Sequence, residues 1–569
     1  MTAPVARREG AAVAATPPTD ASPAGAAPTG APTAPDAATP DVPTAPDAAA
    51  PPDAAPPGWT RTQRLVLAGI GVTLFAVYTT YSWARHAKFE TTGFDLGIFD
   101  QVVRAYAHFH APTSPLKGVG FNIMGDHFHP ILVLLVPLYW IWDDPRMLLA
   151  AQSALFAISI VPVAAFARRR FGGWASLFVA CAYGASWPIE QAVHFDFHEI
   201  AFAVPLLALL VDALDRRAYR TVLGCCALLL LVREDMGALL VVVGLLIALR
   251  PPRPGHARRP EALLGVGLLA AGLAGYWVTT SVIIPAYAAT GFSYWTFTAL
   301  GPDPMSALET SLRHPLRVAR LMVRPEVKFD TLVTIFYPTG FLALVSPYVL
   351  LTAPFLAERM LNDRKFLWET NFHYTSVVAP LVMMAAVDTL DRLVRALPRL
   401  ARSPRLARAF RPARSAQVRR VQAGLVALFL AWGVGVVAWQ FSTQSPDYPI
   451  AGLVNGRVFS RGPHWEAVDE VLDQIPAGEC VEADNRIAPH LTPRDYVTRV
   501  ASRQVPGSGG LATWVVLDLA RVDTGWQGDA PKVALEASLR RGYVEVWRKN
   551  KVVLLHKDQP VAPLCRGLY

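Results

Sequence analysis

Five clusters of ionisable residues interrupt an otherwise apolar sequence. They are Asp95 and Asp100 within TTGFDLGIFDQ, Asp126-His127-Phe128-His129, the HFDFHE stretch from His194 to Glu199, Arg233-Glu234-Asp235, and Asn371-Phe372-His373-Tyr374. Carboxylates and imidazoles transfer protons in most enzymes, and carboxylate oxygens also bind hard divalent cations. One unpaired charge at the centre of a bilayer costs about 2.5–3.5 kcal/mol, so charged clusters between apolar runs usually pair with one another or mark a functional site.

The elements that position these clusters are apolar runs. Hydrophobic residues make up 53% of the 569 residues and charged residues 17%, and the mean hydropathy is +0.30, which excludes an ordinary soluble protein. About 20 apolar residues span a hydrocarbon core. Five runs have about that length: Leu65–Trp83, Met147–Ala167, Trp174–Ile189, Leu263–Ile284 and Val421–Phe441. The sequence therefore predicts an α-helical polytopic membrane protein.

The positive charge of the chain is concentrated in one loop. The formal net charge is +9, and ten arginines lie between Arg392 and Arg420, directly between two apolar stretches. A basic loop at the membrane edge is typical of the cytoplasmic side of a membrane protein. These arginines do not alternate with aromatic residues that could stack on bases, so we predict no nucleic-acid partner.

Placing every basic loop in the cytoplasm predicts about eleven crossings. The run Ile131–Trp142 is too short for a crossing, which favours a re-entrant or interfacial helix in the first outer loop. Charged or proline-containing breaks divide two helix pairs: Thr221–Val232 with Met236–Leu249, and Thr331–Ala343 with Pro347–Ala357. In this topology the N-terminus is cytoplasmic and all five clusters lie at the extracytoplasmic face.

The composition divides the chain into three regions. Residues 1–58 are rich in Ala, Pro, Thr and Asp and are predicted to form a disordered cytoplasmic tail. Residues 59–441 form the predicted transmembrane domain. Residues 442–569 contain an amphipathic segment and short β-like runs, which predicts a small extracytoplasmic α/β domain. Cys480 and Cys565 both fall in this last region, where an oxidising compartment would allow a disulfide.

The acids and histidines near the first outer loop have structural as well as functional interpretations. Asp95 lies in a tight turn flanked by glycines, which favours a functional role. Asp100 is better explained as a residue that caps or solvates an interfacial helix. His127 and His129 point to opposite sides of an extended chain, so their spacing alone does not predict a metal site.

The HFDFHE stretch and the R-E-D break allow several ligands. On a helix, His194 and His198 would share one face, as zinc ligands require. Asp196 and Glu199, with His198, would instead suit a hard divalent cation such as Mg²⁺ or Mn²⁺. Arg233 either pairs with an adjacent acid or binds a phosphate.

The order of these clusters resembles a family of bacterial and archaeal predicted membrane proteins of the DUF2079 type. The motifs GFDLGIFDQ, H-F-H-P, D-F-H-E, R-E-D and F-H-Y carry the resemblance over about residues 65–390. That family is distantly similar to the GT-C glycosyltransferases, polytopic enzymes that take sugars from polyprenyl-phosphate donors. The resemblance implies a GT-C-like fold, with Asp95 at the position of the acid that contributes to catalysis, and His129-Pro130 and Arg233–Asp235 at matching positions. Many GT-C enzymes have adjacent acids in that loop, whereas Asp95 is followed by Leu96.

The favoured interpretation is an inverting glycosyl transfer at the outer face of the cytoplasmic membrane. The expected partners are a lipid-linked sugar donor, a cell-envelope acceptor and membrane lipids. Asp95 would take a proton from the acceptor or orient it through a metal, and Arg233 would balance the charge of the leaving phosphate. The competing interpretation is a transporter or lipid flippase whose pathway is lined by the same charges. A zinc hydrolase is weaker because the HExxH order is missing.

Overall fold

The computed structural model describes residues 58–566, except 253–254, 256, 289–290, 292–293, 402–414, 444–446, 501–509 and 521–530. The described residues all belong to one compact unit. Residues 1–57 of the predicted N-terminal tail and the centre of the arginine-rich loop, residues 402–414, lie outside them. The predicted boundary at residue 442 stays a prediction.

The part of the chain before the sheet is mostly helical. Its first helices are α1 (Arg61–Ala87), α2 (Ile98–Ala107), α3 (Val136–Ile141), α4 (Arg146–Phe171), α5 (Gly173–Gly184), α6 (Trp187–Val193), α7 (Ala203–Arg216), α8 (Tyr219–Leu230), α9 (Met236–Leu249), α10 (Arg259–Val278) and α11 (Ile284–Tyr287). The next are α12 (Pro304–Arg313), α13 (Pro315–Val323), α14 (Glu326–Phe336), α15 (Ala353–Leu361), α16 (Val378–Ala401), α17 (Ser415–Thr443) and α18 (Pro449–Val454).

Within the described ranges, four helical segments are long and apolar enough to cross a membrane. They are Arg61–Ala87, Arg146–Phe171, Arg259–Tyr287 and Gln417–Thr443, and they coincide with four of the five predicted spans. The fifth predicted span is wrong as a continuous helix. It divides into α5 and α6 at Ala185 and Ser186, because Pro188 is favoured in the first turn of a helix, where it lies in α6, and disrupts a helix interior. The number of crossings stays a prediction.

Of the two predicted helix pairs, the structure confirms the first break, whereas the second pair is wrong in its bounds: α14 ends at Phe336, and 3₁₀ turns form Leu342–Val345 and Pro347–Thr352. Helices α8 and α9 end and begin on either side of residues 231–235, as the R-E-D motif predicts. Residues Pro130–Ile141 form a short 3₁₀ turn followed by α3, and their placement relative to the membrane stays a prediction. Helices α9 and α10 approach closely through glycine, since a Cβ at Gly237 would lie 2.6 Å from the carbonyl oxygen of Gly272.

A five-stranded sheet follows the helices. Its strands are β1 (Cys480–Ala483), β2 (Tyr496–Arg499), β3 (Trp514–Asp518), β4 (Val544–Lys549) and β5 (Val552–His556), in the order β2-β1-β3-β5-β4. Strand β1 is parallel to β2 and β3, and β5 is antiparallel to β3 and β4. The accompanying helices are α19 (Pro463–Asp473), α20 (Ala488–Leu491), α21 (Pro531–Arg540) and α22 (Pro563–Arg566). The predicted Cys480–Cys565 disulfide is present.

Candidate functional site

One cavity of about 1410 Å³ receives nearly all of the predicted site residues. Only Asp100 and Asp196 lie outside its lining. The predicted residues that line it are Asp95, Asp126, His127, His129, His194, His198, Glu199, Arg233, Glu234, Asp235, His373 and Tyr374. Clusters that are far apart in the sequence therefore face a common space, in agreement with the predicted shared site.

Asp95 is carried by a turn that the C-terminal sheet holds in place. The turn is one π-helical turn, Gly93–Gly97, between α1 and α2. The amide of Gly93 donates to the backbone oxygen of Asn485 at 2.5 Å, and the amide of Phe94 donates to its Oδ1 at 2.9 Å. A Cβ at Gly93 would lie 2.8 Å from the Cβ of Ala488, so this close approach requires glycine.

The carboxyl group of Asp95 has an unusually high proton affinity. Burial raises the pKa of Asp95 from its ordinary value of 3.8 to about 7, Asp196 and Glu199 add to the rise, and His198 and Lys117 oppose it. No ion pair of Asp95 is present in the part of the chain that the structure describes. A carboxylate of this kind is half ionised at neutral pH and can accept a proton from a bound hydroxyl group.

Asp100 has a different role from the one predicted. It is fully buried and does not line the cavity, so the interpretation as a helix cap or a solvated residue is wrong. Its Oδ1 accepts hydrogen bonds from Arg104 at 2.9 Å and from the Tyr139 hydroxyl at 2.7 Å. Arg104 also donates to the Thr492 carbonyl at 2.8 Å and to Asp143 at 2.7 Å. This buried ion pair joins α2 to the sheet region.

The predicted cation ligands do not converge. Oδ2 of Asp196 accepts hydrogen bonds from the amide and hydroxyl of Thr92, both at 2.7 Å, behind the cavity wall. Nδ1 of His198 lies 2.7 Å from a carboxylate oxygen of Glu199, and its ring stacks on His373 with centroids 3.7 Å apart. No group of three His, Cys, Asp or Glu side chains in the described ranges is arranged to hold a metal ion. The divalent cation stays a prediction.

His194 and His198 do not share a helical face. Helix α6 ends at Val193, and residues 194–198 have no helical conformation. Nδ1 of His194 is instead hydrogen-bonded to the hydroxyl of Tyr81 on α1. The zinc interpretation is therefore wrong, because it depends on a helix that the chain does not form.

Asp126 and His127 belong to a charged network at the cavity wall. Nδ1 of His127 lies 2.6 Å from Glu234, while Asp126 accepts from Lys117 at 2.7 Å and from the Tyr294 hydroxyl at 2.6 Å. Burial lowers the pKa of His127, but Glu234 and Asp126 outweigh it and raise the value to about 9. Burial raises the pKa of Asp126, but His127 and Lys117 outweigh it and lower the value to about 2. His127 is therefore a cation at neutral pH.

Arg233 is already paired with acids. Its Nε and Nη2 donate to the two carboxylate oxygens of Asp235 at 2.9 and 2.5 Å, and Nη2 lies 3.4 Å from Glu358. Of the two alternatives that the sequence allows, the pair with an adjacent acid is present. The charge of Arg233 is thus largely compensated within the protein.

Two other cations in the lining were missed by sequence reasoning. The guanidinium of Arg364 lies over the Tyr294 ring, 4.6 Å from its centroid, and Arg486 follows Asn485 immediately. Neither guanidinium has an ion pair among the residues with described positions. Both residues lie outside the clusters that border apolar runs, so only the folded chain reveals them.

The comparisons with known proteins identify the family. The model of DUF2079, described as a predicted membrane protein, matches residues 85–550. The chain belongs to this family. This confirms the membrane assignment and the resemblance on which it was predicted. No curated protein sequence matches this member of the DUF2079 family.

Solved structures show the fold of this DUF2079 protein. The crystal structure of ArnT from Cupriavidus metallidurans bound to undecaprenyl phosphate matches with a TM-score of 0.50 and 13% identity, over 87% of this chain and 99% of that chain. The apo state of ArnT matches with a TM-score of 0.47 and 12% identity, over 85% and 97% of the two chains. The match to the bound form confirms a GT-C-like helical fold that ends in a small sheet.

Proposed function

We propose that this protein is a membrane glycosyltransferase that uses a polyprenyl-phosphate-linked sugar donor. The observation that carries the proposal is the position of Asp95: a carboxyl group with a pKa of about 7 lies in a large cavity beside cationic side chains. A base on one side of a sugar and cations for a phosphate on the other are the groups that an inverting transfer needs. The ArnT structure of the same fold contains undecaprenyl phosphate, which supports a lipid phosphate as the carrier.

In the proposed reaction, the oxygen of an acceptor hydroxyl group attacks the anomeric carbon of the donor sugar. Asp95 accepts the hydroxyl proton as the new carbon–oxygen bond forms. The bond between the anomeric carbon and the phosphate oxygen breaks, and its electron pair stays on the lipid phosphate. The products are the glycosylated acceptor and the polyprenyl phosphate.

Arg364 is the better cation for the leaving phosphate than Arg233. Arg233 forms ion pairs with Asp235 and Glu358. The guanidinium of Arg364 instead lies over the Tyr294 ring and forms no ion pair in the described part of the chain. A guanidinium presents a planar fork that matches the oxygens of a phosphate. We assign Arg364 to binding of the phosphate and Arg233 to a structural role in the cavity wall. No step is routed through a divalent cation, because the predicted ligands do not converge.

The location of the cavity suits a donor that is confined to the membrane. Asp95 lies in the turn that directly follows α1, a helix of membrane-spanning length. A lipid-linked donor would reach the cavity from the bilayer, and a cell-envelope acceptor would reach it from the aqueous side. If the basic loops are cytoplasmic, as their charge predicts, this face lies outside the cell.

The test is turnover by the purified full-length protein in detergent. A panel of labelled polyprenyl-phosphate sugars is supplied, and release of polyprenyl phosphate is measured for the wild type, Asp95→Asn and Asp330→Asn. Asp330 is exposed and lies outside the cavity lining, so it is the matched control. We expect Asp95→Asn to lose about 100-fold or more in rate, as loss of a general base does, and Asp330→Asn to keep the wild-type rate.

Two results would contradict the proposal. Full release of lipid phosphate by Asp95→Asn would remove Asp95 from the reaction. Movement of an intact labelled donor across vesicles that contain the protein, with no release of lipid phosphate, would favour the transporter or flippase alternative.

A further inference from the structure

The sheet brings a segment of its own into the cavity. Strand β1 is followed by Asp484, Asn485 and Arg486, and Arg486 lines the cavity. In the sheet, β1 lies between its parallel neighbours β2 and β3. The chain adds β2 on one side of β1 and then β3 on the other side, so the strand order reverses at β1. In open α/β sheets, ligands bind at the carboxyl ends of strands at this kind of reversal. Residues 484–486 occupy that place.

Arg486 forms no ion pair in the described part of the chain, although it lies near enough to the buried carboxyl of Asp196 to oppose the rise of that group's pKa. Its side chain is half-buried, and no carboxylate in the described ranges lies within ion-pair distance of it. The other arginines of the site behave differently, because Arg85 lies near Glu90 and Asp196, and Arg233 is bound to Asp235. A guanidinium that is partly removed from water and has no described carboxylate within ion-pair distance favours an oxyanion from the ligand.

The position of Arg486 indicates which part of the substrate it meets. The preceding residue, Asn485, binds the amides of Gly93 and Phe94, so Arg486 is fixed beside the turn that carries Asp95. In an inverting displacement, the base and the group it activates lie on the face of the sugar opposite the leaving group. A cation fixed beside the base is therefore on the side of the acceptor.

We propose that Arg486 binds an anionic group, a carboxylate or a phosphate, on the acceptor. The acceptor would then be an acidic or phosphorylated envelope polymer, and the sheet would select it through this charge. The role of this ligand as an acceptor rests on the proposed glycosyl transfer. Binding of the anion by Arg486 does not depend on turnover. Asn485 acts as a positioning residue that holds the Asp95 turn and Arg486 in one segment.

The first test is equilibrium binding to the purified full-length protein in detergent, measured by thermophoresis. The probes are trigalacturonate, a short glycerol phosphate oligomer and the neutral trisaccharide maltotriose. We expect at least one anionic probe to bind the wild type, Arg486→Ala to weaken that binding by about tenfold or more, as loss of a charged hydrogen bond does, and Arg486→Lys to restore part of it. The matched control is Arg540→Ala on α21, where the arginine pairs with Glu536 and both side chains are 69% exposed.

Each result of this test assigns or removes the site. If Arg486→Ala loses binding of trigalacturonate alone, the site binds a carboxylate. If it loses binding of the glycerol phosphate oligomer alone, the site binds a phosphate. Failure of both anionic probes to bind the wild type at millimolar concentration overturns the proposal. Equal binding by the wild type and Arg486→Ala also overturns it, as does maltotriose binding as tight as that of the anionic probes. An unchanged melting temperature of Arg486→Ala shows that any loss is local.

A second measurement separates the acceptor from the donor. Binding of polyprenyl phosphate should stay within about twofold in Arg486→Ala, because the proposal puts Arg486 on the acceptor side of the sugar, where it does not contact the lipid phosphate, and should fall in Arg364→Ala. A tenfold loss for Arg486→Ala would place Arg486 on the donor phosphate and overturn the assignment. If anionic probes depend on Arg486 while no lipid-linked sugar is turned over, the proposed function fails and the anion site stands.

Discussion

Replacing Asp100 by Asn should lower the free energy of unfolding without changing any residue that lines the cavity. Asp100 and Arg104 have no exposed side-chain surface, and the variant removes the fully buried carboxylate while it keeps Asp143, whose side chain is 39% exposed. Breaking a buried ion pair costs about 3–5 kcal/mol because the remaining charge is buried without a partner. The bond to Asp143 and the Thr492 carbonyl compensates part of that loss, so we expect about 3 kcal/mol.

The assay is a denaturant titration of the purified protein in detergent, followed by tryptophan fluorescence. Asp143→Asn is the matched control, because it removes only a half-exposed partner of Arg104 and should cost about 1 kcal/mol or less. Asp95→Asn should not lose stability, since burial disfavours the ionised form of Asp95 in the folded state. Wild-type stability of Asp100→Asn, or a loss for Asp95→Asn as large as for Asp100→Asn, would refute this separation of the two acids.

The charges and thiols lead to four further expected outcomes. The initial transfer rate should rise about tenfold between pH 6 and pH 8, because the pKa of Asp95 is about 7 and only the ionised form accepts a proton; a rate that falls over this range would contradict the base role. Glu234→Gln should lower the pKa of His127 from about 9, because Glu234 is the main group that opposes the effect of burial, and NMR titration measures the change. The free energy of unfolding of the wild type should decline as the pH rises through 9, because protonated His127 stabilises the folded state and loses its proton there. The variant should lack this decline. Unreduced, denatured protein should show three free thiols and not five, because Cys480 and Cys565 are paired.

The sequence predicts the features that depend on apolar periodicity and on charge placement. The break between α8 and α9 falls where Arg233–Asp235 interrupts two apolar runs, since charged residues cannot remain in a lipid-facing helix. The prediction that the five clusters share one site agrees with the cavity that they line, and the side of the membrane that this cavity faces stays a prediction. Membership of the DUF2079 family and the GT-C-like fold are likewise confirmed by the comparisons.

Other features depend on tertiary contacts and escape this reasoning. The four-residue strands β1 and β2 are almost wholly buried, so they lack the alternation that marks a half-exposed strand. Arg486 is inconspicuous in the sequence because its importance comes from the hydrogen bonds between Asn485 and the Asp95 turn. Asp100 is a partial exception: Arg104 lies four residues later on the same helix, a spacing that indicates an ion pair.

The most direct test of the account is a structure of the wild-type protein with a polyprenyl-phosphate sugar bound. We predict that the sugar occupies the cavity, that the lipid phosphate contacts Arg364, and that Asp95 lies on the opposite face of the anomeric carbon, with Arg486 on the same side as Asp95. A lipid phosphate bound at Arg486, or a sugar bound outside the cavity, would contradict the account.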